Sequence, residues 1–183
     1  MRGLNAVTFE DEAWTVVSPA VLERLERSID DARGLPNAAF TSRAFFELER
    51  EQLFPRTWVL AAPASDVANP GDVVPLEVAG QPIILVCGRD AVVRAFHKVC
   101  PHRGARLIVE RSQVPKIVCP YHAWTYALDG TLQARPHFHG PGKHQRTCTA
   151  NDTIRLAEVR THTWHDWVFV NLDGCAAPFD EYI

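Results

Sequence analysis

The sequence contains no long apolar run, and this excludes an ordinary membrane-spanning helix. Its longest clean apolar stretch, Ile83–Cys87, is far shorter than the roughly 20 residues that a helix needs to cross a bilayer. An excess of positive charge is also lacking. The 183 residues carry a net charge of −3, and Lys and Arg are too dispersed to follow a phosphate backbone. We therefore expect neither a membrane nor a nucleic acid as a partner.

A secretory leader and a disulfide framework are lacking as well. Residues 1–14 include acidic side chains and no apolar core of the kind found in signal peptides. The chain has only 5 cysteines, an odd number, and free thiols are typical of a reducing compartment. We therefore expect a cytoplasmic protein. The remaining composition, 46% hydrophobic and 22% charged, is that of one globular domain with its own core.

Two short helices are predicted in an N-terminal lead-in that covers residues 1–55. The first begins at Ser18-Pro19, a favoured cap and first helical position, and ends at Gly34. Thr41 or Ser42 caps the second, which runs to about Leu53. The apolar positions of the first helix share one face: Val21, Leu22, Leu25 and Ile29. A packing role is the only function that this segment indicates.

From Thr57 onward the sequence predicts an all-β fold. Short runs rich in Val, Ile and aromatic residues are interrupted by turn signals about every 8–12 residues, which is typical of an antiparallel β-sandwich or barrel. Asn69–Asp72 and Asp129-Gly130 are two such turns. Strands are predicted near residues 58–62, 73–78, 83–87, 92–98, 117–119, 125–127, 131–133, 154–160 and 167–171.

Two loops in this region carry the chemistry. Cys100-Pro101-His102-Arg103-Gly104 is followed by Cys119-Pro120-Tyr121-His122, so that the spacing is C-x-H-x16-C-x2-H. We call these loops the first arm and the second arm. Each arm has one sulfur and one imidazole, the ligands that suit zinc and iron–sulfur centres. A Rieske [2Fe–2S] centre uses two thiolates on one iron and two imidazoles on the other. The spacing therefore predicts such a cluster, with Cys100, His102, Cys119 and His122 as its ligands.

Two other interpretations of the arms remain open. A structural zinc site could use the same four residues, although zinc fingers more often place both cysteines in one arm. The residues could also be unrelated core positions, in a chain with 5 cysteines and 8 histidines. The repeated Cys-Pro of the two arms makes this second interpretation the weakest.

The arms resemble the Rieske domain of ring-hydroxylating oxygenase α subunits. The resemblance extends from about Leu35 to the C-terminus, and one departure is Ala123, where the family usually has Gly. The matching segments outside the arms are Glu47–Phe54 with Trp58, Asn69–Asp72, Arg94–Phe96 and Val168–Leu172. The resemblance implies a Rieske domain over residues 56–175, with a cluster-binding subdomain at about 97–130. Residues 176–183 would begin the linker to a catalytic domain that this chain does not contain.

The resemblance also implies a function. The domain would relay electrons from a flavin or iron–sulfur reductase, or from a ferredoxin, to a mononuclear Fe(II) in a catalytic domain or a neighbouring oxygenase subunit. It allows a homo-oligomer and names no substrate, since relatives act on aromatic acids or on quaternary amines. This chain alone would have no catalytic residues. A free-standing Rieske ferredoxin, which carries electrons without a substrate, is the alternative, but the N-terminal helices favour the oxygenase.

Residues near the arms predict a low reduction potential. Respiratory Rieske proteins join the arms by an additional disulfide and place a serine near the second one, whereas Ala105, Tyr121 and Trp124 stand at those positions here. Fewer donors to the sulfurs disfavour the reduced state, so we expect a potential of about −150 mV rather than about +300 mV. Tyr126 is the exception, because its hydroxyl could reach a thiolate.

A histidine-rich segment between Arg135 and Arg146 is a weaker candidate for a second metal site. His137, His139 and His144 lie there among two glycines and two prolines, which exclude a helix. An exposed loop is the better interpretation of this segment.

Overall fold

The structure is a computed structural model that describes residues 9–136 and 154–183, with side chains from residue 13 onward. It divides the chain into two compact units, Met1–Pro55 and Arg56–Ile183. Within the described residues, no helix is both long and apolar enough to span a bilayer.

The described part of the first unit, from residue 9 onward, contains four short α-helices where the sequence predicted two. They are α1 (Phe9–Val16), α2 (Pro19–Leu25), α3 (Ala38–Thr41) and α4 (Arg43–Gln52). Helix α4 confirms the second predicted helix, because the Ser42 hydroxyl accepts a hydrogen bond from the Phe45 backbone N–H at 3.2 Å. Helix α1 was missed, although Ala13 and Val16 lie three positions apart and are both buried.

The first predicted helix was wrong in its length and in its apolar face. Helix α2 ends at Leu25, and a separate turn follows in which the backbone N–H groups of Asp31 and Ala32 donate to the Ser28 carbonyl. Val21 is buried as expected, but Ile29 lies beyond the helix and is 92% exposed. The local turn at Ser28 competes with the helix, because serine and aspartate offer the backbone alternative hydrogen bonds.

The strands that the structure describes in the second unit all pair in antiparallel fashion, which confirms the predicted fold class. A seven-stranded sheet has the order β1-β10-β9-β4-β3-β2-β5, and a three-stranded sheet has the order β6-β7-β8. The strands are β1 (Val59–Pro63), β2 (Asp72–Val78), β3 (Gln81–Cys87), β4 (Val93–His97), β5 (Ser112–Gln113), β6 (Ile117–Val118), β7 (Thr125–Tyr126), β8 (Leu132–Ala134), β9 (Glu158–Trp164) and β10 (Trp167–Asn171). The short strand β5 was not predicted, and β9 begins four residues later than expected.

Strand β3 separates two hydrophobic cores. Because successive side chains of a strand point to opposite faces, Ile84 and Val86 enter one core while Ile83 and Leu85 enter the other. The first core also contains the cysteines of both arms, together with Phe96, Trp124 and Tyr126. The site is therefore built directly on one face of the large sheet.

The predicted turn at Asp129-Gly130 closes tightly against this first core. The Asp129 carboxylate accepts hydrogen bonds from the Thr131 backbone and hydroxyl, which fixes the turn. Gly130 has a φ of +86°, and a Cβ added there would lie only 2.6 Å from the Phe96 ring. Only glycine fits both the backbone conformation and the space.

The C-terminal residues form a one-turn helix, α5 (Phe179–Tyr182), which packs on the large sheet. Phe179 is buried, its ring stacks on His162 at 4.3 Å, and it meets Trp58 edge-on at 5.4 Å. The Trp58 indole N–H donates to the Ala177 carbonyl at 2.9 Å. This contact joins the C-terminal segment to the beginning of the β unit.

Candidate metal centre

The two arms converge at one end of the first core. The first arm follows β4, and the second connects β6 to β7. Cys100 and Cys119 are almost fully buried, and they lie close enough that Cys119 helps to raise the pKa of the Cys100 thiol. His102 and His122 are partly exposed, and their ring centroids lie 4.8 Å apart. The structure thus brings the four predicted residues together, with the sulfurs inside and the imidazoles toward the surface.

The arms share one backbone hydrogen-bond pattern. In the first arm, the Gly104 N–H donates to the Cys100 carbonyl at 2.9 Å, and the Cys100 N–H donates to the Ala105 carbonyl at 2.8 Å. In the second arm, Ala123 and Trp124 take the places of Gly104 and Ala105, with the same two distances. Two equivalent loops therefore present a cysteine and a histidine from opposite sides.

Each loop needs a left-handed residue at the same position. Gly104 has a φ of +68° and Ala123 a φ of +54°. Glycine adopts this conformation without cost, whereas alanine is strained there. A left-handed backbone at Ala123 therefore explains why glycine was the residue expected at this position. The structure also shows that the alanine is tolerated without a change in the loop's hydrogen bonds.

Tyr126 reaches the first cysteine, as the sequence analysis anticipated. Its side chain is completely buried, and its hydroxyl lies 3.1 Å from the Cys100 sulfur. Burial raises the pKa of Tyr126 well above its usual range, and the neighbouring Cys100 raises it further. The hydroxyl therefore stays protonated and can donate to a thiolate.

The environment of the arms suits metal binding. Burial raises the pKa of the Cys100 thiol, partly countered by hydrogen bonds from the Tyr126 hydroxyl and the His102 backbone N–H. A bound metal would take the place of the thiol proton, because cysteine ligates metals as the thiolate. Burial also lowers the pKa of His102, with smaller contributions from His122 and Arg103, and so favours the neutral imidazole that ligates metals.

One buried nitrogen that lacks a hydrogen-bond partner among the described residues is consistent with a bound cluster. Nδ1 of His122 is buried and makes no hydrogen bond to any residue that the structure describes. Such a nitrogen needs a partner, and a metal can supply it. Within the described ranges, no three His, Cys, Asp or Glu side chains are placed to hold a single ion. A two-iron cluster is compatible with that placement, since each iron takes only two protein ligands.

Aromatic contacts to the histidines were missed in the sequence. The Trp124 ring stacks on His102 with a centroid distance of 4.4 Å, and the Tyr121 ring lies 3.8 Å from His122. The signal was present, since each aromatic residue lies within two positions of His122. The sequence could not show that Trp124 contacts the histidine of the other arm.

The other metal candidate lies outside the described residues. His137, His139 and His144 belong to residues 137–153, for which the structure describes no placement. The second metal site therefore stays an expectation from sequence.

Comparison with known proteins identifies a family whose members resemble this chain. The family model described as "Rieske [2Fe-2S] domain" matches residues 57–145. The carnitine monooxygenase oxygenase subunit of Escherichia coli (strain K12) is 36% identical over 159 residues, which are 84% of this chain and 40% of that protein. The glycine betaine monooxygenase oxygenase subunit of Pseudomonas aeruginosa (strain UCBPP-PA14) is 38% identical over 107 residues, covering 58% of this chain and 25% of the relative.

Solved structures of oxygenases are also similar to this chain. The quaternary ammonium Rieske monooxygenase CntA in complex with gamma-butyrobetaine matches with a TM-score of 0.65 and 34% identity, over 82% of this chain and 42% of that one. Naphthalene 1,2-dioxygenase with bound indole matches with a TM-score of 0.64 and 28% identity, over 81% and 33%. The chain therefore spans less than half the length of these relatives.

Proposed function

This chain belongs to the Rieske [2Fe–2S] domain family, with Rieske oxygenase α subunits as its relatives, and on that basis we propose that it relays single electrons within an oxygenase. The observation that carries the proposal is the paired arrangement of ligands, with buried cysteines and partly exposed histidines. The relatives reported above are all oxygenases or their subunits, which supports this function over a free-standing ferredoxin.

Cys100 and Cys119 would bind one iron, and His102 and His122 the other. The two thiols lie together in the core, where thiolates are shielded from water and from oxidation. Nδ1 of His122, which is buried without a hydrogen-bond partner among the described residues, would be the ligand atom on the second arm. The two-and-two division of sulfur and nitrogen matches what a Rieske cluster requires.

The cluster, when bound, supplies a reversible one-electron couple. The surrounding residues control how well that couple works. Tyr126 and the His102 backbone N–H direct hydrogen bonds to the Cys100 sulfur, which stabilises negative charge there. The core side chains Ile84 and Phe96 exclude water from the cysteine side. The partly exposed imidazoles give electrons a short path to a docked protein.

We assign the partners and the substrate class by similarity. A flavin or iron–sulfur reductase, or a ferredoxin, would donate electrons, and a mononuclear iron site in a catalytic domain or a neighbouring subunit would accept them. Several relatives are named for carnitine or glycine betaine, and one related structure holds gamma-butyrobetaine. All three compounds carry a trimethylammonium group, so a quaternary amine is the substrate class that we propose for the complete oxygenase.

Spectroscopy of the purified chain tests the cluster assignment. After anaerobic reconstitution we expect two irons per chain, a red-brown colour, and an EPR signal in the reduced state with coupling to two nitrogens. His102→Ala and His122→Ala should each abolish that signal, whereas His165→Ala, on the turn between β9 and β10, should leave it unchanged. A colourless zinc protein, or a His102→Ala variant with an unaltered spectrum and two irons, would contradict the proposal.

Activity of the complete oxygenase tests the substrate class. With a reductase and NADH, we expect oxygen consumption coupled to oxidation of L-carnitine or glycine betaine, and none with an aromatic acid such as benzoate. The present chain alone should become reduced and oxidise neither compound. Product formed from benzoate but not from the quaternary amines would overturn the substrate assignment while leaving the cluster assignment intact.

A further inference from the structure

Four aromatic rings form one continuous row across the site. Trp124 stacks on His102 with an interplanar angle of only 2° and a centroid distance of 4.4 Å. His102 meets His122 edge-on at 4.8 Å. The Tyr121 ring in turn lies 3.8 Å from the His122 ring. The two imidazoles therefore lie between two larger aromatic side chains that are not themselves candidate ligands.

Trp124 is the buried end of this row, and it is firmly anchored. Its side chain is only 6% exposed and belongs to the first core. Its carbonyl accepts the Cys119 backbone N–H at 2.8 Å, which closes the second arm. The ring that stacks on the first-arm histidine is thus mounted on the second arm. This contact braces the two arms against each other.

Tyr121 is the exposed end. It lies in the second arm directly before His122, and 59% of the residue is accessible to solvent. Its ring is inclined by 34° to the imidazole and covers it from the solvent side. A large aromatic residue so exposed contributes little to the core, so its position over a histidine calls for another explanation.

We propose that Trp124 and Tyr121 are positioning residues that fix the orientations of the two histidine rings. The inference rests on the proposed function, because it concerns the imidazoles as ligands. An imidazole bound through one nitrogen can still rotate about that bond, and its orientation determines its overlap with the iron orbitals. Trp124 fixes the plane of His102 by parallel stacking, and Tyr121 limits the rotation of His122 from outside. The electronic structure of the reduced centre then depends on both aromatic residues.

The size of the effect follows from the strength of aromatic pairs. Loss of one such contact changes the balance between ordered and disordered ring orientations by about 2- to 12-fold. We therefore expect Trp124→Leu and Tyr121→Ala to broaden the EPR spectrum of the reduced protein and to spread the nitrogen couplings measured by pulsed EPR. Trp124→Phe and Tyr121→Phe, which keep an aromatic ring, should largely restore the narrow wild-type values.

Two matched variants separate positioning from simple destabilisation. Trp58 is also 6% exposed but packs among Phe179 and His162, so Trp58→Leu removes a comparable buried indole away from the four-ring row. Tyr182 is 52% exposed, and Tyr182→Ala serves as the control for Tyr121→Ala. Both controls should lower or preserve the thermal midpoint while leaving the nitrogen couplings unchanged.

The outcomes are distinguishable. Two irons per chain with unchanged line widths and couplings in both Trp124→Leu and Tyr121→Ala would overturn the inference. If Trp124→Leu does not load the cluster, the exposed Tyr121→Ala and the conservative Trp124→Phe decide by the same measurement. Absence of a Rieske signal in the wild-type chain would refute the proposed function itself, whereas a normal wild-type signal with insensitive variants refutes only the positioning role.

Discussion

Removing the Tyr126 hydroxyl should lower the reduction potential of this centre. The hydroxyl lies 3.1 Å from the Cys100 sulfur in a completely buried position. A donor to sulfur stabilises the reduced state more than the oxidised one, because the reduced centre carries one more negative charge. Tyr126→Phe keeps the ring and its packing, so it removes the hydrogen bond alone.

The magnitude follows from the energy of such a bond. A hydrogen bond to a charged group contributes about 1.5–3 kcal/mol, and sulfur is a weak acceptor. If about 0.5–1.5 kcal/mol of this differs between the oxidised and reduced states, the one-electron potential falls by about 20–65 mV, since 59 mV corresponds to 1.36 kcal/mol. Tyr126 is thus a modest correction to the low potential expected from the missing disulfide and serine.

Protein-film voltammetry or a redox titration followed by EPR measures this shift directly. Tyr182→Phe is the matched control, because the Tyr182 hydroxyl accepts a hydrogen bond from Thr57 at 2.7 Å instead of lying at the Cys100 sulfur. Its potential should equal that of the wild type. An unchanged or higher potential in Tyr126→Phe would show that the hydroxyl does not donate to the thiolate, and the reasoning would fail.

Four further substitutions test the backbone and one ion pair. Gly104→Ala should destabilise the protein by about 1 kcal/mol and Ala123→Gly should stabilise it by a smaller amount, because both positions have a left-handed backbone. Urea unfolding measures both changes in the free energy of unfolding. If both substitutions changed that free energy in the same direction, the two arms would not be equivalent. Gly130→Ala should cost about 1–3 kcal/mol, seen as a lower thermal midpoint, because the added methyl meets a phenyl ring at 2.6 Å. Hydrogen bonds from Arg94 hold the pKa of Asp90 at about 2, below its ordinary 3.8. The ionised carboxylate therefore stabilises the folded protein fully above pH 4, and this stabilisation is lost as the pH falls toward 2. Asp90→Asn should accordingly be less stable than the wild type above pH 4 and equally stable near pH 2, and a stability difference independent of pH would refute this.

Much of the site could be predicted because its signals are local. A cysteine, a proline, a histidine and a left-handed residue within five positions define each arm without reference to the rest of the chain. The Ser42 cap and the turn at Asp129-Gly130 were predicted for the same reason. The ligand set stays a prediction, which the proximity of the four side chains supports.

Elements that depend on distant partners were predicted less well. Strand β9 was placed too early because its first residues pair with β4, which is far away in the sequence, whereas its pairing with the adjacent β10 is local. The two-residue strand β5 exists only because it pairs with β2. The apolar face assigned around Ile29 failed because the turn at Ser28 ended the helix. Hydrophobic periodicity alone does not contain these competing contacts.

The sequence by itself determined two matched arms with their candidate sulfur and imidazole ligands, and the antiparallel strands that carry them. These follow from residue type and short spacing, which act over a few positions of the chain. Only the tertiary structure decided which side chain contacts which ligand. Trp124 and Tyr126 are brought onto His102 and Cys100 of the other arm because β7 packs into the core beneath both arms. Such contacts arise when two sheets close on one another, and no local pattern specifies them.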